Sequence, residues 1–309
     1  SFDGRGGWAY RARTKVRPGA MHWQPSNSPA ESMSLSSAAA AAPRSTAEPF
    51  RTRRTFAIIS HPDAGKTTLT ERLLSAAGAI QSAGAVRGKS GARSTRSDWM
   101  EMEQQRGISI TSSVMTFDYD GLTLNLLDTP GHSDFSEDTY RTLTAVDAAI
   151  MVIDAAKGIE SQTLKLFEVC RLRDIPIITF INKVDREGLS PLDLIDEIQG
   201  KLALDLTPVL WPIGQGVDFR GYLDLLEKRV LSPQGKPVAQ YEAIEDLLDN
   251  ETLVDDPVFM VALETLEMAT AMLPPFDLET FHAGHLSPVL FGSALKGIGV
   301  AELLRTLGE

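Results

Sequence analysis

Ser60-His61-Pro62-Asp63-Ala64-Gly65-Lys66-Thr67 stands between an apolar run, Thr55–Ser60, and a segment whose apolar residues recur at helical spacing from Thr67 onward. Glycine, lysine and a hydroxyl residue in that order, between a strand and a helix, form the context a phosphate-binding loop needs. Successive backbone N–H groups of such a loop wrap an anionic phosphate, and the helix N-terminus adds its positive dipole end. The candidate phosphate-binding set is Ser60, Asp63, Ala64, Gly65, Lys66, Thr67 and Thr68. The Lys66 ammonium would bridge β- and γ-phosphates, and the Thr67 hydroxyl would reach Mg2+. Ser60 departs from the usual pattern, which opens on glycine. Gly-Lys-Thr before a helix also serves as ordinary turn-and-cap chemistry, so the loop needs corroboration from elsewhere in the chain.

Outward from the loop, short apolar runs alternate with helical patterns. Thr55–Ser60, Val114–Tyr119, Leu122–Leu127, Ala148–Ile153, Pro176–Ile181 and Ser287–Gly292 read as strands. Thr67–Ala77, Phe135–Ala145, Ser161–Arg171 and Pro191–Leu204 read as helices. This alternation predicts an α/β fold of P-loop NTPase type, with a mostly parallel, doubly wound sheet. Residues 51–205 and 283–309 are expected to form the nucleotide-binding domain. Residues 206–282, rich in proline and acid, break the rhythm and read as an inserted subdomain, with a helix near Asp256–Met272. Residues 81–98, rich in Gly, Ser and Arg, read as a mobile loop.

In open sheets of this kind ligands bind at the carboxyl ends of the strands, and three more motifs fall there. Asp128-Thr129-Pro130-Gly131-His132 ends the strand Leu122–Leu127. An aspartate at that place can hold a metal-bound water, and Gly131 lets a backbone N–H approach a γ-phosphate. Alone, the string is a good turn. Asn182-Lys183-Val184-Asp185 follows the strand Pro176–Ile181. The Asp185 carboxylate can accept N1–H and N2–H2 of guanine together, a pairing adenine does not offer. The stem of Lys183 would lie along the ring, and Asn182 would tie this loop to the phosphate loop. Ser293, Ala294 and Leu295 follow Gly292, and their N–H groups would face guanine O6. An exposed Asn-Lys-x-Asp turn is the plain alternative for one motif. Four strand-end motifs in chain order imply Mg2+ and a guanine nucleotide, GTP or GDP.

Composition narrows the class further. The 309 residues hold 43% hydrophobic residues, enough for a sizeable core, and a single cysteine, Cys170. One cysteine excludes a disulfide framework and fits a reducing compartment. No apolar run approaches the roughly 20 residues of a membrane span. The net charge of -11 argues against whole-surface attraction to nucleic acid. Residues 1–54 nevertheless carry nine Lys/Arg and three Asp/Glu, so a nucleic-acid partner met through a local patch stays open. Residues 1–50, rich in Ser, Ala, Arg and Pro, are expected to be disordered. Their basic, acid-poor composition is that of an N-terminal extension, with Met33 as an alternative start, or of an organelle transit segment.

The strings SHPDAGKTTLTE, SDWMEMEQQRGISIT, LLDTPGHSDFSEDTYRTLTAVDAA, MVIDAAKGIE and TFINKVDR, with VLWPIG in the insertion, are similar to those of the translational GTPases. The resemblance runs from about Arg53 to Gly299 and is strongest to the termination branch of that family. It implies that His132 aligns the attacking water and that Pro62 and Ile108 flank it as a hydrophobic gate. It implies a magnesium set of Thr67, Ser109 and Asp128, with serine where most of the family has threonine. Asp63 matches an acidic position associated with a monovalent cation. The resemblance further implies a monomeric, cytoplasmic GTPase whose partner is the ribosome. On the ribosome it would promote release of class I release factors, contacted indirectly. No membrane role is implied. Alternatives within reach are an elongation-factor-G-like or ribosome-protection GTPase, and a nucleotide-gated ribosome-binding module with little turnover. The family's further domains, starting with a β-barrel, are expected beyond Glu309.

Overall fold

The computed structural model describes residues 52–80, 113–128 and 136–309. The expected disorder of 1–50, the loop 81–98, and positions Ile108, Ser109, Gly131 and His132 lie outside these residues. In chain order the described residues form β1 (Arg53–Ser60), α1 (Lys66–Ala76), β2 (Ser113–Tyr119), β3 (Leu122–Asp128) and α2 (Ser136–Leu143). There follow β4 (Ala148–Asp154), α3 (Ser161–Arg171), β5 (Ile177–Asn182) and α4 (Pro191–Leu202). The next stretch supplies β6 (Asp205–Ile213), β7 (Gly221–Asp224), β8 (Arg229–Leu231) and β9 (Pro237–Gln240). Then come α5 (Glu251–Val254), α6 (Pro257–Met272), α7 (Leu278–His282), β10 (Leu286–Phe291) and α8 (Val300–Gly308).

The strands form one sheet of order β2-β3-β1-β4-β5-β10-β6-β7-β8-β9. From β3 through β6 every neighbouring pair is parallel, and antiparallel strands stand at both edges. The β2–β3 hairpin turns on Asp120-Gly121, both at positive φ (47° and 77°), as a tight two-residue turn requires.

Strand periodicity of two divides the core into two layers. Ala57, Ile59, Met151, Ile153, Ile177 and Ile181 face the side covered by α3, α4 and α6. Phe56, Ile58, Ile150, Val152, Ile178 and Phe180 face the side covered by α1 and α8. Because both faces are covered, the central strands read as unbroken apolar runs. Ser190 starts α4 by accepting the Asp193 N–H at 3.1 Å ahead of Pro191, and Asp256 does the same for α6 at Val258. Cys170 is buried in α3, and burial pushes its thiol up to about 12, so it is a packing residue. Among the described residues no helix is long and apolar enough to cross a membrane.

The stretch expected as an inserted subdomain continues the central sheet. β6 runs parallel to β10, and β7, β8 and β9 follow as an antiparallel meander. Val209, Leu210, Tyr222 and Leu231 share an apolar cluster with Leu290. On the other face Trp211 packs edge-on against Phe291 at 5.3 Å. β7 to β9 are three or four residues long, too short to show a period in the sequence.

A buried ionic cluster joins this extension to α8. Asp224 is fully buried on β7 and accepts from Arg305 Nη2 of α8 at 2.8 and 3.0 Å and from Arg229 Nε at 3.1 Å. Removing the carboxylate takes the buried acceptor from two guanidinium groups. We expect Asp224→Ala to lower the unfolding free energy by about 3 kcal/mol, measured by denaturant titration. Burial, and secondarily the Asp224 charge, hold the Glu302 carboxyl above its ordinary value. A raised folded-state value means that the folded form binds the extra proton, so this group's contribution is lost as pH climbs from 4.5 through the raised value. Glu302→Gln should therefore stabilise the protein at neutral pH, and thermal melts should show the advantage vanishing below about pH 4.

Candidate nucleotide-binding site

Parallel register brings the strand ends to one edge. Ile58 stands opposite Asp128, Ser60 opposite Val152, Asp154 opposite Asn182, and Phe291 opposite Ile181. The loops leaving β1, β4, β5 and β10 therefore emerge side by side, and β3 ends at Asp128 on the same edge.

The loop after β1 turns tightly. Asp63 and Gly65 take φ of 67° and 105°, and the Ala64 N–H closes on His61 O at 3.2 Å. A side chain on Gly65 would collide with the Asn182 amide, so glycine is required twice over, for its conformation and for the close approach. Ser60, by contrast, keeps an ordinary φ. Its side chain is buried, and its hydroxyl meets no hydrogen-bond partner among the described residues. Nothing in the backbone at that position demands glycine, which accounts for the departure from the usual loop pattern. Lys66, 7% exposed, and Thr67 open α1, whose first-turn N–H groups have no acceptor within the helix and point toward the loop. Pro62 lies at the turn between His61 and Asp63. The loop is held from outside by α3: the His61 N–H donates to Thr163 Oγ1 at 3.1 Å, and His61 Nε2 approaches Glu160 at 3.4 Å.

Asn182 is the hub. Its Nδ2 donates to Ala64 O at 2.8 Å, while its Oδ1 accepts from Ala294 N at 2.8 Å and Lys183 N at 2.9 Å. One buried amide thus fastens the phosphate loop to the loops after β5 and β10. Lys183 takes a left-handed φ of 73°, which turns its side chain back across the strand ends. Its ammonium donates to Asp63 O and Asp154 Oδ2, each at 2.6 Å.

The loop after β10 is closed by a bridge between Ser293 and Ile298. A side chain on Gly292 would strike Ile298 O and the Phe180 ring, so the loop packs there without a Cβ. Arg72 of α1 donates to Leu295 O at 2.5 Å. Ser293 and Ala294 are fully buried, whereas Leu295 is 41% exposed at the rim. The Asp185 side chain is only 7% exposed, and the cation facing it is Lys296 Nζ at 3.9 Å. A carboxylate has about four acceptor sites, so this one can accept a pair of donors such as the N1–H and N2–H2 edge of guanine.

All the candidate residues that the structure describes thus gather at one edge of the sheet: Ser60, Pro62 to Thr68, Asn182, Lys183, Asp185 and Ser293 to Leu295, with Asp128 closing β3 beside β1. Asp154 and Arg72 are participants that sequence reasoning missed. Asp154 was legible only as the polar residue ending β4; that it meets Lys183 is a tertiary fact. Among the described residues, no three His, Cys, Asp or Glu side chains converge as a metal site. Magnesium on a nucleotide is bound largely by phosphates and water. The hard oxygen of Thr67 at the head of α1 suits that role.

Residues 51–309 match the family model described as the elongation factor Tu GTP binding domain. The chain belongs to that GTP-binding family. This GTP-binding domain is 55% identical over 261 residues to a protein of Aromatoleum aromaticum named peptide chain release factor 3, covering 82% of this chain and 47% of the relative. It is 54% identical to the protein of the same name from Bordetella petrii, covering 83% and 49%. The chain spans about half the length of these curated relatives. A crystal structure of a Thermus thermophilus protein shares the fold with a TM-score of 0.65 at 23% identity, over 84% of this chain and 40% of that one.

The base reading makes a sharp demand. Asp185→Asn should weaken GDP binding by at least about 100-fold, since an amide presents a donor to the guanine amine and leaves it unpaired. Calorimetric titration with GDP and xanthosine diphosphate checks this, because xanthine carries an acceptor where guanine carries that amine.

Proposed function

We propose that this chain is the nucleotide-hydrolysing domain of a ribosome-dependent GTPase acting in translation termination. Using Mg-GTP, the whole protein would promote departure of class I release factors from the ribosome after peptide release. The observation that carries this reading is the 54–55% identity to proteins named peptide chain release factor 3, over 261 residues of this chain. In this reading the protein works as a monomer in the cytoplasm, and its contacts with ribosomal RNA and class I factors arise on the ribosome.

The chemistry is hydrolysis of the β–γ phosphoanhydride. Water attacks the γ-phosphorus, the bond to the β-phosphate oxygen breaks, and GDP and phosphate leave. Such a reaction passes through a loose transition state with charge spread over the phosphoryl oxygens, so the protein's task is positioning and electrostatics. Lys66 and the N–H groups from Asp63 to Thr67 hold the phosphates. Gly131 brings a backbone N–H toward the γ-phosphate, and His132 aligns the water. By the family resemblance, Pro62 and Ile108 would serve as an apolar gate for His132 until the ribosome docks. Thr67, Ser109 and Asp128 would hold Mg2+, and the ion would supply charge neutralisation at the phosphates. Asp63 stands where a monovalent cation could assist.

His132→Ala in the full-length protein should leave GTP and GDP affinity within about twofold while ribosome-stimulated turnover drops by about 1000-fold. Phosphate release with and without ribosomes reads turnover, and a nucleotide titration reads affinity. Stimulated turnover that survives the change removes His132 from the mechanism. Absence of any stimulation of the wild-type protein favours a nucleotide-gated binding module instead.

A further inference from the structure

The Asp154 carboxylate stands at the end of β4 and is 5% exposed. One of its oxygens accepts from Ala156 N at 2.9 Å, and the other receives the Lys183 ammonium at 2.6 Å. Asp154 pairs in register with Asn182, the residue just before Lys183. The same ammonium reaches Asp63 O in the phosphate loop. A single cation therefore ties together the ends of β1, β4 and β5, and Asp154 is the carboxylate that holds it.

We infer that Asp154 is a positioning residue for the nucleotide: it fixes the stem of Lys183 as a rigid wall for the purine before the nucleotide arrives. Three physical facts support this. Lys183 sits in left-handed backbone, a conformation that is costly for a residue with a Cβ and persists only when the surroundings enforce it. A lysine stem carries several freely rotating bonds, and anchoring its far end in advance removes an ordering cost from binding. An ammonium with only a carbonyl partner would keep its charge available to the nearby phosphates, whereas a buried carboxylate neutralises it and holds it in place.

The inference rests on the base-loop role of Lys183, and the test separates the two. Release of N-methylanthraniloyl-GDP and of the corresponding GTP is timed for the wild-type chain, Asp154→Asn, Lys183→Ala and the double variant. Asp154→Asn keeps the shape and the acceptor for Ala156 but loses the charge. We expect it to release both nucleotides about tenfold faster, the loss of one charge-assisted contact. Because Asp154 acts through Lys183, the double variant should release no faster than Lys183→Ala alone. Should the amide variant not fold, Asp154→Ser takes its place and retains an acceptor for Ala156. Unchanged release from the Asp154 variants, or additive effects in the double variant, overturns the proposal. A fall in melting temperature with nucleotide release unaltered also overturns it, since that marks a purely structural residue. Failure of the wild-type chain to bind GDP overturns the site and this inference together.

Discussion

The side-chain amide of Asn182 is a small group with a large task. It offers two donors and two acceptor lone pairs, and at this place a donor and both lone pairs are used on the backbone of the three loops around it. In a buried setting an amide left unpaired costs about 1–3 kcal/mol, so each loop is held where the others need it. The phosphate loop cannot shift without releasing the loops after β5 and β10. That mutual dependence makes one rigid cradle from segments that lie far apart in the chain.

Two of the six described non-glycine residues at positive φ stand beside this hub. Asp63 and Lys183 both adopt left-handed backbone, and Gly65 and Gly292 allow approaches that a Cβ would forbid. Such features persist because two covered faces of a parallel sheet hold the strand ends still. The apolar layers against α1 and α8, and against α3, α4 and α6, fix β1, β4, β5 and β10 side by side. The polar loops inherit that rigidity at the sheet's carboxyl edge.

The extension β6 to β9 adds to the same sheet and meets the β10 side of the domain twice. Trp211 packs on Phe291, the residue before Gly292, and Asp224 grips Arg305 in the helix that leaves the base loop. A buried carboxylate with two arginines specifies this docking more than it strengthens it, since desolvation offsets much of the attraction.

How much of this was legible beforehand follows from scale. Unbroken apolar runs and helical spacing announced the central strands and α1, α3 and α4 to within a few residues, because burial on both faces writes itself into every position. The candidate phosphate and base motifs stood out as short strings at strand ends, since each consists of a few adjacent residues. The amino-acid order thus determined the fold class and the GTP-binding family, and it set the candidate motifs at strand ends. Only the folded chain decided that β6 to β9 extend the central sheet, that Asp154 clamps Lys183, that Arg72 reaches Leu295 and that Asp224 meets Arg305. Those contacts join residues 29 to 223 positions apart, and Asp154, Arg72, Asp224 and Arg305 are each, taken alone, an ordinary polar residue in a strand or helix. Partnership at that range arises from strand order and register, which local periodicity does not encode.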